Sequence, residues 1–197
     1  MPEQPFDAAY YARYYGDPDT RVGSADSTAR LGRFVCAYLA YLEVEVTSVL
    51  EFGCGLGWWR EPLREAYPEA SYCGVELSPH LCETHGWTQG SVVDYEHEQP
   101  VDLVICQGVL QYLDKQDARR AIDNLARHAC RALYLEALTT GDWREVCDRE
   151  RSDGDVHRRP ASWYRRALTP HFRSCGGGLF IPRNAPVALF ELEQGWF

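Results

Sequence analysis

The chain has 197 residues, 45% of them hydrophobic and 25% charged, which excludes collagenous, coiled-coil and largely disordered architectures. It carries 20 Lys and Arg against 29 Asp and Glu, a net charge of -9, and that balance disfavours a broad nucleic-acid footprint. Residues 6–23 hold Tyr10, Tyr11, Tyr14 and Tyr15 ahead of a Gly-Asp-Pro turn, predicting a short helix and a turn. Residues 27–43 place Leu31, Phe34, Val35, Tyr38, Leu39 and Leu42 at helical spacing, with Asp26 or Ser27 as N-cap. A β-rich run over 46–52 then enters a glycine cluster, and a helix is expected over 58–67. Strands over 71–76 and 87–93 flank a short helix at 79–85. The run 101–107 reads as a fully buried strand. A helix follows over 117–130, with Ala118, Ala121, Ile122, Leu125 and Ala129 on one face, then a strand over 132–138. The tail predicts helices over 142–150 and 161–171, then two antiparallel strands over 173–181 and 187–193.

Strands alternating with helices predict an α/β fold: a Rossmann-like doubly wound sheet of seven strands, mostly parallel, with an antiparallel C-terminal hairpin and helices on both faces. The eight cysteines form no CxxC pair and no zinc-type spacing with His, so buried free thiols and no metal site are expected. No apolar run nears the roughly 20 residues of a membrane span, and residues 1–6 lack a signal-peptide pattern. The expectation is a cytoplasmic protein without membrane contact.

The most informative stretch is Val49-Leu-Glu51-Phe-Gly53-Cys54-Gly55-Leu-Gly57-Trp58-Trp59. A strand running through glycines into a helix lets a ligand touch the backbone and meet amide donors. A phosphate loop of the Gly-Lys-Ser/Thr type is excluded, because Trp58 and Trp59 follow Gly57. The dinucleotide pattern GxGxxG, counted from Gly53, requires glycine at position 58, where Trp58 stands. What remains is acidic-x-Gly-x-Gly-x-Gly, with Glu76 lying 19 residues past Gly57.

In these segments the chain resembles the class I S-adenosylmethionine-dependent methyltransferases, over roughly residues 46–138. The resemblance implies S-adenosylmethionine as cofactor, with Glu51, Gly53, Cys54, Gly55, Gly57 and Trp58 forming the loop around it. It implies Glu76 on the ribose hydroxyls, with Leu77 beside it, and Ser91, Val92, Val93 and Asp94 around the adenine. The stretch 101–112, led by Asp102, implies a turn facing the methionine moiety and acceptor, with Gln107 on the cofactor. Residues 1–45 are expected as a helical lid, with Tyr11 and Arg21 reaching the cofactor, and 46–197 as the methyltransferase domain, with a helical insertion over about 140–171.

Methyl transfer from a sulfonium leaves the protein mainly to position and desolvate. Candidates on the acceptor side are Gln111, which hydrogen-bonds but is no base; Tyr15, from the tyrosine-rich segment; and His157, whose ordinary pKa suits a general base. The expected acceptor is a small molecule. A protein or RNA acceptor, or a binding module without turnover, are the alternatives; the length leaves no separate RNA-binding domain.

Overall fold

The computed structural model describes residues 6–195; the first five residues of the expected lid and the last two of the expected domain lie outside it. Strands β1 (Ser48–Phe52), β2 (Ser71–Glu76), β3 (Thr88–Gln89), β4 (Val101–Gln107), β5 (Ala129–Glu136), β6 (Phe172–Gly176) and β7 (Leu179–Pro182) form one sheet in the order β3-β2-β1-β4-β5-β7-β6. The first five pair in parallel, and β7 runs antiparallel to both β5 and β6. The strand order reverses between β1 and β4, which opens a crevice at their carboxyl ends, the place where doubly wound sheets bind ligands.

Each face of the sheet carries its own core. On one side pack α2 (Ala25–Tyr41) and α3 (Arg60–Ala66), with Val35, Leu39 and Leu63 against Val49, Leu103 and Ile105. On the other pack α5 (Lys115–His128) and a later helix over Ala161–Leu168, with Ile122, Leu125 and Leu168 against Leu50, Val104 and Leu133. Alternate residues of β1 and β4 feed opposite cores, as the strand period of two requires. Each fully buried Leu or Ile contributes about 1.5–3 kcal/mol.

Local chemistry places the helices. Before α4 (Pro79–His85), Ser78 caps the amide of Leu81, Pro79 opens the first turn, and Gly86 closes the helix in the left-handed region, φ 72°. Asp114 accepts from the amides of Gln116 and Asp117 and starts α5 two residues before the expected 117. Helix α2 begins earlier than expected because Ser24, not Asp26 or Ser27, is the cap; Ser27 is its reciprocal partner in a capping box.

Several other expectations are corrected. The expected helix over 142–150 is the shorter α5-distal element α6 (Thr140–Glu145), opened by a Thr139–Asp142 capping box; the Ala161–Leu168 helix is α7. The expected strand over 87–93 is only Thr88–Gln89; Gly90 leads into a turn that buries Val92 and Val93 beneath the sheet. The expected strand over 173–181 is itself the antiparallel hairpin. Gly176, Gly177 and Gly178 all have positive φ (78°, 58° and 80°), which bends the chain back into β7. Residues 187–193 form no strand. The tail runs beside the sheet, held by Arg173 on the carbonyls of Ala185 and Val187 and by the Gly195 amide on Ser174. Before the sheet, α1 (Ala8–Tyr11) continues as a π-helical turn, Ala12–Gly16. Among the described residues no helix is long and apolar enough to cross a membrane.

Candidate functional site

The crevice at the strand reversal is a cavity of about 610 Å³. Its floor is the turn after β1. Gly53 holds φ +69°, and a Cβ there would stand 2.3 Å from Val109 Cγ2, so the position admits only glycine. At Gly55, φ +49°, an added Cβ would meet only the Gly53 carbonyl, at 3.9 Å; the space beside it is open and belongs to the cavity.

Glu76, at the end of β2 and 4% exposed, organises this floor. One carboxylate oxygen accepts the Gly55 amide at 2.9 Å, and the other accepts the amides of Leu77 and Ser78 at 2.8 and 2.9 Å. The three bonds fix a charged, directional acceptor at the edge of the cavity. Glu51 lies deeper and accepts from the Tyr72 hydroxyl at 2.5 Å. Burial, aided by the nearby charge of Glu76, pushes its carboxyl up to about 8. Glu51 is therefore largely neutral at pH 7 until a cation joins it.

The opposite wall begins at the end of β4. Gln107 accepts from the Trp59 indole at 2.8 Å and donates to Glu136 at 3.2 Å, and Tyr134 donates to the same Glu136 oxygen at 3.0 Å. The following 3₁₀ turn, Leu110–Tyr112, carries Gln111, whose side-chain oxygen accepts the Leu138 amide at 3.4 Å. This turn is clamped from below by buried Arg159, which donates to the carbonyls of Leu110 and Leu113 and to the Tyr164 hydroxyl, and lies over the Trp163 ring.

The N-terminal segment covers the mouth. Tyr10, Tyr11, Tyr14 and Tyr15 touch one another ring to ring, Tyr15 meets Trp58 edge-on at 5.7 Å, and the Tyr10 and Tyr112 hydroxyls are 2.8 Å apart. Burial raises the phenols of Tyr10, Tyr11 and Tyr112, and takes Tyr15 up to about 12, so they present neutral hydroxyls rather than bases.

Of the residues singled out in the sequence, the structure brings Glu51, Gly53, Cys54, Gly55, Trp58, Glu76 and Leu77 to the cavity. Ser91, Val92, Gln107, Gln111, Tyr11 and Tyr15 also line it. Five others stand elsewhere. Gly57 (φ +73°) packs its Cα against the Trp87 ring, where a Cβ would come within 2.8 Å. Val93 is buried in the core, and Asp94 is exposed on the outer side of its turn. Arg21 is exposed, its amide closing a turn on Asp17. His157 is also exposed; its contribution is its backbone amide, which donates to the Gln111 carbonyl at 2.7 Å. No group of three or more potential metal-ligating side chains occurs among the described residues. Sequence reasoning missed Tyr112 and Thr28 as cavity walls. Tyr112 lay inside the segment after β4, but only the 3₁₀ turn sets its direction.

Comparison with known proteins adds three findings. Residues 50–131 match the methyltransferase-domain family. Trans-aconitate 2-methyltransferase of Pseudomonas paraeruginosa is 23% identical over 155 residues, 74% of this chain and 48% of that protein. The chain spans less than half the length of the curated relatives it matches. Two solved structures share the fold over nearly the whole chain. The sugar N-methyltransferase KedS8 from a Streptoalloteichus species has TM-score 0.65 at 18% identity, covering 92% of this chain and 94% of that one. The amino pentose methyltransferase CalS10 from Micromonospora echinaspora, solved with S-adenosylmethionine bound, has TM-score 0.60 at 16% identity, covering 92% and 98%. The methyltransferase-domain match over residues 50–131, the sheet order and the loop Glu51-x-Gly53-x-Gly55-x-Gly57 agree, and in all three the chain is similar to the class I S-adenosylmethionine-dependent methyltransferases.

Proposed function

We propose that this chain transfers a methyl group from S-adenosylmethionine to a small-molecule acceptor, with S-adenosylhomocysteine as the second product. The observation that carries the reading is the open space beside Gly55, bounded by buried Glu76 at the strand reversal. When bound there, the cofactor supplies an electrophilic methyl on a cationic sulfur. In this reading the main chain of Gly53, Cys54 and Gly55 lies against the nucleoside, and Glu76 takes the ribose hydroxyls with its remaining lone pairs. Leu77, Ser91 and Val92 border the adenine. Glu51, Gln107, Trp58 and Tyr11 surround the amino-acid end. Gln111 and Tyr15 orient the acceptor as hydrogen-bonding groups, and the tyrosine-rich segment, acting as a lid, excludes water. A cavity of about 610 Å³ falls in the range of small-molecule sites, which supports a small acceptor. The eight free thiols support a reducing, cytoplasmic setting.

Calorimetric titration with S-adenosylmethionine, S-adenosylhomocysteine and NADH tests the reading. The first two are expected to bind, with binding lost in Glu76→Ala, and NADH is expected to give no heat. Binding of NADH alone, or of none of the three by a folded sample, overturns it.

A further inference from the structure

We infer that the methyl acceptor is an amine, recognised in this cavity as a cation and methylated at nitrogen. The inference rests on the cofactor reading above and adds the substrate class. Among the described residues that line the cavity, five are carboxylates: Glu51, Glu76, Glu136, Asp142 and Asp153. None is Arg, Lys or His, although the chain holds 20 Lys and Arg and 6 His. The seven residues outside the described range add no basic side chain.

The carboxylates are not equivalent. Glu76 is taken by the loop amides, and Asp142 caps its own helix through Thr139. Glu51, 3% exposed, takes one hydrogen bond on Oε2, and its other oxygen has no partner among the described residues. Glu136 at the end of β5 and Asp153 from the insertion stand with the aromatic wall of Tyr10, Tyr15 and Tyr112 around the same space. Carboxylates among aromatic faces attract an ammonium group through charge and ring quadrupole together. A carboxylate acceptor meets the like charge of Glu136 and Asp153 there and has no guanidinium or ammonium side chain to replace its water.

The relatives point two ways. Curated relatives are named for trans-aconitate and for malonyl-[acyl-carrier protein] O-methylation, and two of the solved structures for sugar N-methylation and an amino pentose. The charge of this cavity selects the second chemistry. The ammonium form gives its proton to Asp153 or Glu136, and from there to solvent. The freed nitrogen lone pair forms the new N–C bond to the cofactor methyl as the C–S bond breaks, its electron pair remaining on sulfur. The methylated ammonium then loses its extra proton to solvent.

The test uses the full chain saturated with S-adenosylhomocysteine and pairs of probes that share a skeleton: benzylamine and benzoate, tyramine and 4-hydroxyphenylpropionate, glucosamine and glucuronate. The amine of a pair is expected to bind about tenfold more tightly than the acid, and Asp153→Asn to reduce that preference several-fold without changing S-adenosylhomocysteine affinity. With S-adenosylmethionine instead, the amine that binds gains a methyl by mass spectrometry, at a rate that rises with pH towards its own pKa. Equal or tighter binding of the acids, or no amine binding in any pair, overturns the assignment. Failure of S-adenosylhomocysteine to bind at the outset overturns the methyltransferase reading instead, so the two failures are separate.

Discussion

Glu51 and Glu76 stand on neighbouring strands and have opposite situations. Glu76 is ringed by three amide donors; Glu51 is buried with one phenol. Replacing Glu76 by alanine removes a charged acceptor and leaves the Gly55 amide unpaired, a loss of about 2–3 kcal/mol, or roughly a hundredfold in cofactor affinity, measurable by calorimetry. Glu51 has a folded pKa raised to about 8 from an ordinary 4.5. A raised acid favours the fold in its protonated form, so its contribution is complete below the unfolded pKa and is lost as pH rises through the folded one. Glu51→Gln is therefore expected to raise the Tm of the ligand-free chain by an amount that grows between pH 5 and pH 8, read by scanning calorimetry at a series of pH values. The same substitution weakens binding of a cationic cofactor. That Glu51, Gly53, Gly55 and Glu76 meet at one cavity was legible because motif spacing survives without side-chain geometry, whereas Gly57 turned to the Trp87 ring instead. His157 and Arg21 were not legible, because residue type says nothing of direction: the His157 side chain is exposed and outside the cavity lining, while its amide holds the Gln111 turn.

At the level of elements, helix boundaries followed their caps. Helix α4 was legible residue for residue because Ser78, Pro79 and Gly86 are local signals. Helix α5 was entered late because the apolar stripe begins at Ala118, whereas the helix begins where Asp114 satisfies its first amides. Asp114→Ala is expected to cost about 1 kcal/mol in a urea denaturation. The short β3 and the hairpin were misread for a common reason. Val92-Val93 and Phe172–Ile181 are both apolar enough for a strand, but pairing partners and three consecutive left-handed glycines decide where a strand stops. The stretch over 187–193 forms no strand, and Arg173 captures the carbonyl at its start, that of Val187, from the side.

For the whole molecule, the parallel sheet, its reversal point and the two cores were legible, because five alternating segments leave few right-handed arrangements. The way the N-terminal segment and the insertion close over the crevice was not, since it rests on tertiary contacts such as Tyr10 with Tyr112 and Trp58 with Tyr15. None of residues 8–16 is fully buried, which marks a stretch that opens at little cost. Amide hydrogen exchange over residues 8–22 is expected to be fast in the free chain and to slow on addition of S-adenosylhomocysteine, with little change in β4.

The acidic lining of the cavity, with Glu76, Glu136, Asp142 and Asp153 beside the protonated Glu51, also bears on the proposed turnover. S-adenosylmethionine enters with one net positive charge, and the spent cofactor leaves with none. An anionic well draws in the loaded form from a distance and has no long-range hold on the spent one. In the proposed reaction each methyl delivered would cancel the attraction that brought it, which biases the site against product inhibition. The association rate of S-adenosylmethionine is expected to fall as sodium chloride is raised, while that of S-adenosylhomocysteine stays nearly level, a difference that stopped-flow tryptophan fluorescence from Trp58 is placed to record.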